Sequence, residues 1–137
     1  MKDNKQVILI VEDETPLLDS YVEILEDGGF TALKAADGYK GLEVLEANKS
    51  IVDLVLLDLM MPGMDGLDVL KQVRGNPGKY GEMPIMVLTN LSSERVIKEA
   101  FSRGANGYLL KTELEPDQVI AEIRTVLKAG TSKKDGQ

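Results

Sequence analysis

Apolar residues follow two rhythms along this chain, and the two alternate. Val7 to Val11 (VILIV) is a continuous apolar run, as in a strand buried on both faces. Thr15 followed by Pro16 reads as a helix N-cap and an N1 proline. Leu17, Leu18, Tyr21, Ile24 and Leu25 then recur at helical spacing, and Gly28-Gly29 closes that helix. Phe30 to Ala35 predicts a second, weaker strand, and Asp37 caps a helix carrying Leu42 and Leu45. Leu54 to Leu57 predicts the third strand. Asp65 caps the next helix, with Leu67, Leu70 and Val73 on one face, and the Pro- and Gly-rich stretch Asn76 to Met83 reads as a loop. Ile85 to Leu88 (IMVL) is the fourth strand. Ser92 or Ser93 caps a helix bearing Val96, Ile97, Ala100 and Phe101, which Gly104 ends. Gly107 to Leu110 is a short fifth strand. Pro116 opens a last helix with Val119, Ile120, Ile123, Val126 and Leu127 as its apolar stripe, and the tail TSKKDGQ is polar and expected to fray.

Five strands alternating with five helices, with no close internal repeat, predict an α/β fold: a doubly wound parallel sheet with helices on both faces. Such sheets bind ligands at the carboxyl ends of their strands, near the switch in strand order. The residues just after each strand therefore belong to one rim. They are Glu12, Asp13 and Glu14 after the first strand, Asp58 at the end of the third, Thr89 and Asn90 after the fourth, and Lys111 after the fifth.

The stretch LVLLDLMMPGMDG, Leu54 to Gly66, runs an apolar strand straight into Asp58. Burying an unpaired carboxylate is costly, so it calls for a metal, a cation or a reaction. Doubly wound folds that cradle a phosphate or flavin place Gly, Ser or Thr after the first strand, where their N–H groups meet the anion. Three carboxylates stand there instead, and they repel phosphate unless a cation lies between. The rim thus reads as a divalent metal site built on Asp13 and Asp58, with Glu12 beside them. The Lys111 ammonium and the Thr89 hydroxyl complete a receptor for a phosphoryl group, and Asp58 can be the nucleophile that forms an acyl phosphate. Taken alone, Glu12-Asp13-Glu14 is an acidic turn before a helix N-terminus, where carboxylates are favoured anyway. It is the company of Asp58 and Lys111 that makes it a candidate site.

Composition narrows the chemistry. With 137 residues the chain fits one domain, and 43% hydrophobic residues suffice for a core. There is no Cys and no His, which excludes disulfides, thiolate nucleophiles, zinc-thiolate sites and imidazole acid-base roles. Carboxylate oxygens alone favour a hard cation, Mg²⁺ or Mn²⁺. A formal charge of −7 disfavours non-specific binding to nucleic acid or anionic membranes. The longest apolar runs are strand-sized and MKDNKQ is no signal region, so the expected location is cytoplasmic.

The ordered set VEDE, LLDLMMPGMDG, LTN, and Tyr108 with Lys111 three residues on resembles the receiver domains of two-component response regulators, from about Gln6 to Ala129. The resemblance implies a flavodoxin-like sheet of strand order 2-1-3-4-5, with a domain over 6–130 between flexible termini at 1–5 and 131–137. It implies Asp58 as phosphoacceptor and Mg²⁺ held by Asp13, Asp58 and the backbone carbonyl of Met60, with Glu12 acting through water. Lys111 would contact the phosphoryl group, and Thr89 and Tyr108 would be the switch residues. It also implies a histidine kinase or histidine phosphotransfer protein as phosphodonor, and an output face on the last two helices and the last strand, around Ile97, Phe101 and Tyr108. That face would bind a downstream protein or a second copy. The chain would catalyse only its own aspartyl phosphorylation and slow autodephosphorylation, Met60 and Leu91 standing at the family's water-gating positions. After Ala129 only eight residues remain, too few for a DNA-binding module, so direct nucleic-acid binding is not expected.

Two departures from the family pattern stand out. Thr112 follows the lysine where most members have proline in a cis bond, and Asn90 follows the threonine where a small residue is usual. They support a second reading, a receiver-like scaffold for protein interaction that needs no phosphate. A metal-dependent phosphatase would want a second aspartate where Met60 stands, and a flavin module would not carry the acidic first loop.

Overall fold

In the computed structural model, which describes residues 5–90, 94–111 and 115–135, the VILIV run is strand β1 (Val7–Val11). The chain continues through α1 (Thr15–Asp27), β2 (Thr31–Ala35), α2 (Gly38–Asn48), β3 (Val52–Asp58), α3 (Gly66–Gly75) and α4 (Pro77–Tyr80). It ends with β4 (Ile85–Thr89), α5 (Glu94–Ser102), β5 (Gly107–Leu110) and α6 (Pro116–Asp135). The five strands form one sheet of order β2-β1-β3-β4-β5, every neighbouring pair parallel. A parallel strand must return by a crossover, so the helices fall on both faces.

Strand residues alternate between two separate cores, which is why the central strands are apolar throughout. Ile8, Ile10, Leu54, Leu56, Met86 and Leu88 pack with Leu18, Tyr21 and Leu25 of α1 and Val119 and Ile123 of α6. Leu9, Val11, Val55, Leu57, Ile85 and Val87 pack on the other face with Leu45 of α2, Leu70 and Val73 of α3, and Ala100 of α5. The order places β1 between β2 and β3, so the chain reverses direction across the sheet at the β1/β3 boundary. In register, Val11 stands beside Leu57, Asp58 beside Leu88, and Thr89 beside Leu110.

The structure corrects several sequence expectations. Among the described residues there are six helices rather than five, because Pro77–Tyr80 within the expected loop forms α4. Proline breaks a helix interior but suits its first turn, and burial of the Tyr80 ring holds this short helix down. Gly81, at φ 92°, then turns the chain away in a conformation that only glycine takes without strain. Glu14, not Thr15, is the N-cap of α1, so Thr15 and Pro16 already lie in its first turn. Phe30 precedes β2 rather than opening it, yet is buried under α1. Strand β3 is longer than expected at both ends. At its start Asp53 interrupts the apolar run, but it sits where the β1–β3 register shifts, and its Oδ2 accepts from the Val7 N–H at 2.8 Å. At its other end the strand includes Asp58 itself. The last helix spans Pro116–Asp135. The expected cap at Ser92 or Ser93 lies outside the described residues.

Two caps and one clamp fix the helices relative to the sheet. Asp37 Oδ1 accepts from the Lys40 N–H at 2.7 Å, and Asp65 and Asp68 form a reciprocal capping box at the start of α3. At the amino-terminal end of β4, Arg74 donates to Met83 O at 2.9 Å, to Gly104 O at 2.9 and 3.0 Å, and to Asn106 Oδ1 at 2.8 Å. Asn106 exchanges bonds with Ile85, its Oδ1 accepting from Ile85 N at 2.9 Å and its N–H reaching Ile85 O at 2.7 Å.

Candidate functional site

At the carboxyl edge of the sheet, β1 leads into Glu12 and Asp13, β3 ends in Asp58, β4 in Thr89, and β5 leads into Lys111. Glu12, Asp58 and Thr89 are all buried, and Asp13 is half-buried. Lys111 spans the two buried acids: its Nζ lies 2.8 Å from Glu12 Oε1 and 3.1 Å from Asp58 Oδ1. The backbone supplies further donors. Met60 N–H reaches Asp58 Oδ1 at 3.1 Å, and Glu14 N–H reaches Glu12 Oε2 at 3.2 Å. Asp58 is thus held at one oxygen only, and its Oδ2 is buried with no hydrogen-bond partner among the described residues.

The start of α3 is pressed against the backbone that carries Asp58. A Cβ on Gly66 would fall on the Asp58 carbonyl oxygen and within 2.7 Å of Leu59 Cα, so no larger residue fits without moving the strand end. The Gly66 N–H completes the turn by donating to Leu59 O at 3.1 Å.

One ammonium among three carboxylates leaves the pocket short of positive charge. Burial pushes the Asp58 carboxyl up to about 7; the Met60 N–H opposes this, nearby Glu12 adds to it, and Lys111 opposes it. For Lys111, burial by itself disfavours the ammonium, but its bond to Glu12 and the Asp58 charge outweigh that and raise it. Carboxylate oxygens of Glu12, Asp13 and Asp58 lie within 4.8 Å of one another. Three converging oxygen donors and an orphaned buried oxygen fit a hard divalent cation, which would supply the missing charge.

The expected site residues therefore converge as far as Glu12, Asp13, Asp58 and Lys111 are concerned, with Thr89 at the same edge. Tyr108 stands apart. It is 41% exposed, packed edge-on against Phe101 with ring centroids 6.3 Å apart, on the side of β5 opposite buried Leu109. Met60 presents its side chain to solvent at 59% exposure, and Asn90 is exposed beyond β4. Leu91 and Thr112, including the peptide bond before Thr112, lie outside the described residues.

Sequence reasoning missed one neighbour of the site. Tyr21 served only as a helix-stripe residue, yet its buried phenol feels the charges of Lys111, Glu12 and Asp58, with burial the main cause of its raised pKa. A tyrosine on an otherwise aliphatic stripe was the available signal, since a buried hydroxyl is usually turned toward polar company.

Comparison with known proteins agrees with this picture. The response regulator receiver domain family matches residues 8–124. The sensory transduction protein RegX3 of Mycolicibacterium smegmatis is 38% identical over 128 residues, which is 93% of this chain and 53% of RegX3. The transcriptional regulatory protein YvrH of Bacillus subtilis is 36% identical over 129 residues, 93% of this chain and 52% of YvrH. The chain spans about half the length of the curated relatives it matches. Among solved structures, the Vibrio cholerae chemotaxis protein CheY4 is 30% identical and superposes with a TM-score of 0.80 over 89% of this chain and 98% of its own. Strand order, rim and sequence all lead to one assignment: the chain belongs to the response regulator receiver domain family, whose members are signalling switches rather than enzymes in the ordinary sense.

Proposed function

We propose that Asp58 is the phosphoacceptor of a two-component signalling receiver, taking a phosphoryl group from the phosphohistidine of a histidine kinase or a histidine phosphotransfer protein. The observation that carries this reading is the state of Asp58: buried at the end of a central strand, held at Oδ1, and without a hydrogen-bond partner among the described residues at Oδ2. Such a carboxylate is oriented before the donor arrives, which is most of what phosphoryl transfer asks of a protein. A carboxylate oxygen of Asp58 forms the new O–P bond, the donor's N–P bond breaks, and the departing imidazole takes up a proton. Lys111 is placed to follow the charge. Its ammonium, now shared by Glu12 and Asp58, can turn to the phosphoryl oxygens that arrive beside it.

Glu12, Asp13, Asp58 and the Met60 carbonyl are the groups that would hold Mg²⁺, with Mn²⁺ as a substitute. The bound cation offsets the charge of carboxylates and phosphoryl oxygens in one place. Thr89, buried at the end of β4 on the same rim, is the hydroxyl that would contact the incoming group and report phosphorylation to α5. Tyr108 then leaves its exposed position against Phe101 and turns toward the space Thr89 vacates. The face made by α5, β5 and α6 changes accordingly and binds a downstream protein or a second copy.

Intact mass after incubation with Mg²⁺ and acetyl phosphate, beside an Asp58→Asn variant, tests the assignment. Gain of one phosphoryl group by the wild type alone is the expected result. If a phosphorylated kinase domain also leaves the folded protein unmodified, the phosphate-independent scaffold takes its place.

A further inference from the structure

The chain carries six methionines and neither Cys nor His, so thioethers are its softest nucleophiles and its easiest targets for an oxidant. Their environments differ sharply. Among the described residues Met61, Met83 and Met86 are buried and Met64 is half-buried, whereas Met60 leaves 59% of its surface in water. Met60 is also the methionine tied to the site, through the 3.1 Å bond from its backbone N–H to Asp58 Oδ1. Its main chain is fixed to the carboxylate while the residue is largely exposed to solvent.

We propose that Met60 is an oxidation-sensitive modification site: conversion of its thioether to the sulfoxide by a peroxide shortens the life of the phosphoryl group on Asp58. In the oxidation, the sulfur lone pair attacks one peroxide oxygen, the O–O bond breaks, an S–O bond forms, and the second oxygen leaves as water. Sulfur loses two electrons and the peroxide gains them. The product replaces an apolar side chain with a strong hydrogen-bond acceptor. An apolar thioether gives water no anchor beside the acyl phosphate. A sulfoxide oxygen at the same place accepts from water and keeps it within reach of the phosphorus. The inference rests on Asp58 being the phosphoacceptor, but the reactivity of Met60 does not depend on it. A methionine sulfoxide reductase, drawing electrons from a thiol, would return the site to its first state.

The test treats the folded chain with limiting hydrogen peroxide and maps sulfoxides by peptide mass, with no phosphodonor present. A second portion, oxidised and unoxidised, is phosphorylated with acetyl phosphate and Mg²⁺, freed of donor, and followed by intact mass. Urea midpoints of both forms check that the fold is kept. Met60→Leu, which keeps the backbone N–H and carbonyl but has no sulfur, goes through the same steps and is compared only with itself. The expected result is a sulfoxide at Met60 ahead of Met61, Met64, Met83 and Met86, and a phosphoryl half-life shortened severalfold in the wild type but unchanged by oxidant in Met60→Leu. Earlier oxidation of any of those four overturns the proposal. So do equal half-lives with Met60 fully oxidised, or the same shortening in Met60→Leu. A chain that takes up no phosphoryl group before oxidation overturns the phosphoacceptor reading and the lifetime claim with it, while the peptide map still decides whether Met60 is the reactive thioether.

Discussion

Asp58 and Lys111 are two halves of one electrostatic arrangement, and each half makes a measurable demand. The Asp58 carboxyl titrates at about 7 in the folded chain, against about 3.9 for a free aspartate. Between those values the folded state keeps a proton that the unfolded state releases. The proton-linked stability is therefore complete below pH 4 and is lost as pH rises through 7. Lys111, whose pKa is raised, contributes stability that is present below its unfolded value near pH 10, so it leaves the pH 5–8 window flat. Without divalent cations, the urea midpoint should fall between pH 5 and pH 8. Asp58→Asn should flatten that fall and exceed the wild type at pH 8 by about 2–4 kcal/mol. Lys111→Met should do the reverse. It strands two buried carboxylates and should cost about 3–5 kcal/mol at pH 8, and less at pH 5 where Asp58 is protonated.

Among the elements, the seam between β3 and α3 matters most to the site. The capping box of Asp65 and Asp68 starts α3 at a fixed residue, and Gly66 lets that start lie directly on the Asp58 backbone. Gly66→Ala should lower stability by about 1–3 kcal/mol through overpacking. It should also slow phosphorylation by acetyl phosphate more than a mutation of equal cost in the far core does. Equal slowing by Gly66→Ala and by Leu45→Ala at matched stability would show that the seam does not position Asp58. Much of this seam could be read from sequence. Asp65 as a cap, the apolar run before Asp58 and the order of the rim residues all follow from local chemistry. What could not be read depends on contacts between distant segments. Asp53 looks like the end of a loop until Val7 N–H is seen to bond to it, and Pro77–Tyr80 looks like loop until the Tyr80 ring is seen buried. The 2.8 Å reach of Lys111 to Glu12 likewise joins residues almost a hundred apart, a pairing that rim order suggests but whose length no pattern gives. Tyr21 was hidden for the same reason, its relation to the site existing only once α1 lies on the sheet.

For the molecule as a whole, the acidic pocket lies at the carboxyl edge of β1 and β3, in the sheet that separates the two cores. A cation bound there is linked to global unfolding, since the unfolded chain cannot gather Glu12, Asp13 and Asp58. Millimolar Mg²⁺ should raise the Tm at pH 8 by several degrees. Asp13→Asn should abolish most of that rise while leaving the metal-free Tm nearly unchanged, because Asp13 is half-buried and not part of the Lys111 pairing. A Tm shift that survives Asp13→Asn would place the cation elsewhere. In the same metal-free protein, the surplus of acidic residues predicts a Tm that climbs with added NaCl as their repulsion is screened.

The Arg74 clamp gives α5 a mechanical character. Its guanidinium grips Gly104 and Asn106 just past the carboxyl end of that helix and ties them to Met83, ahead of β4. A rod riveted at one end does not slide; it pivots. At nine residues α5 is about 13 Å long, so a tilt of about five degrees about the rivet carries its far tip roughly one ångström. The far tip is the amino-terminal end, the end that follows Thr89 in the chain. On the proposed switch, a small push at the pocket would be delivered as a swing, with its axis set by an arginine on the opposite edge of the sheet.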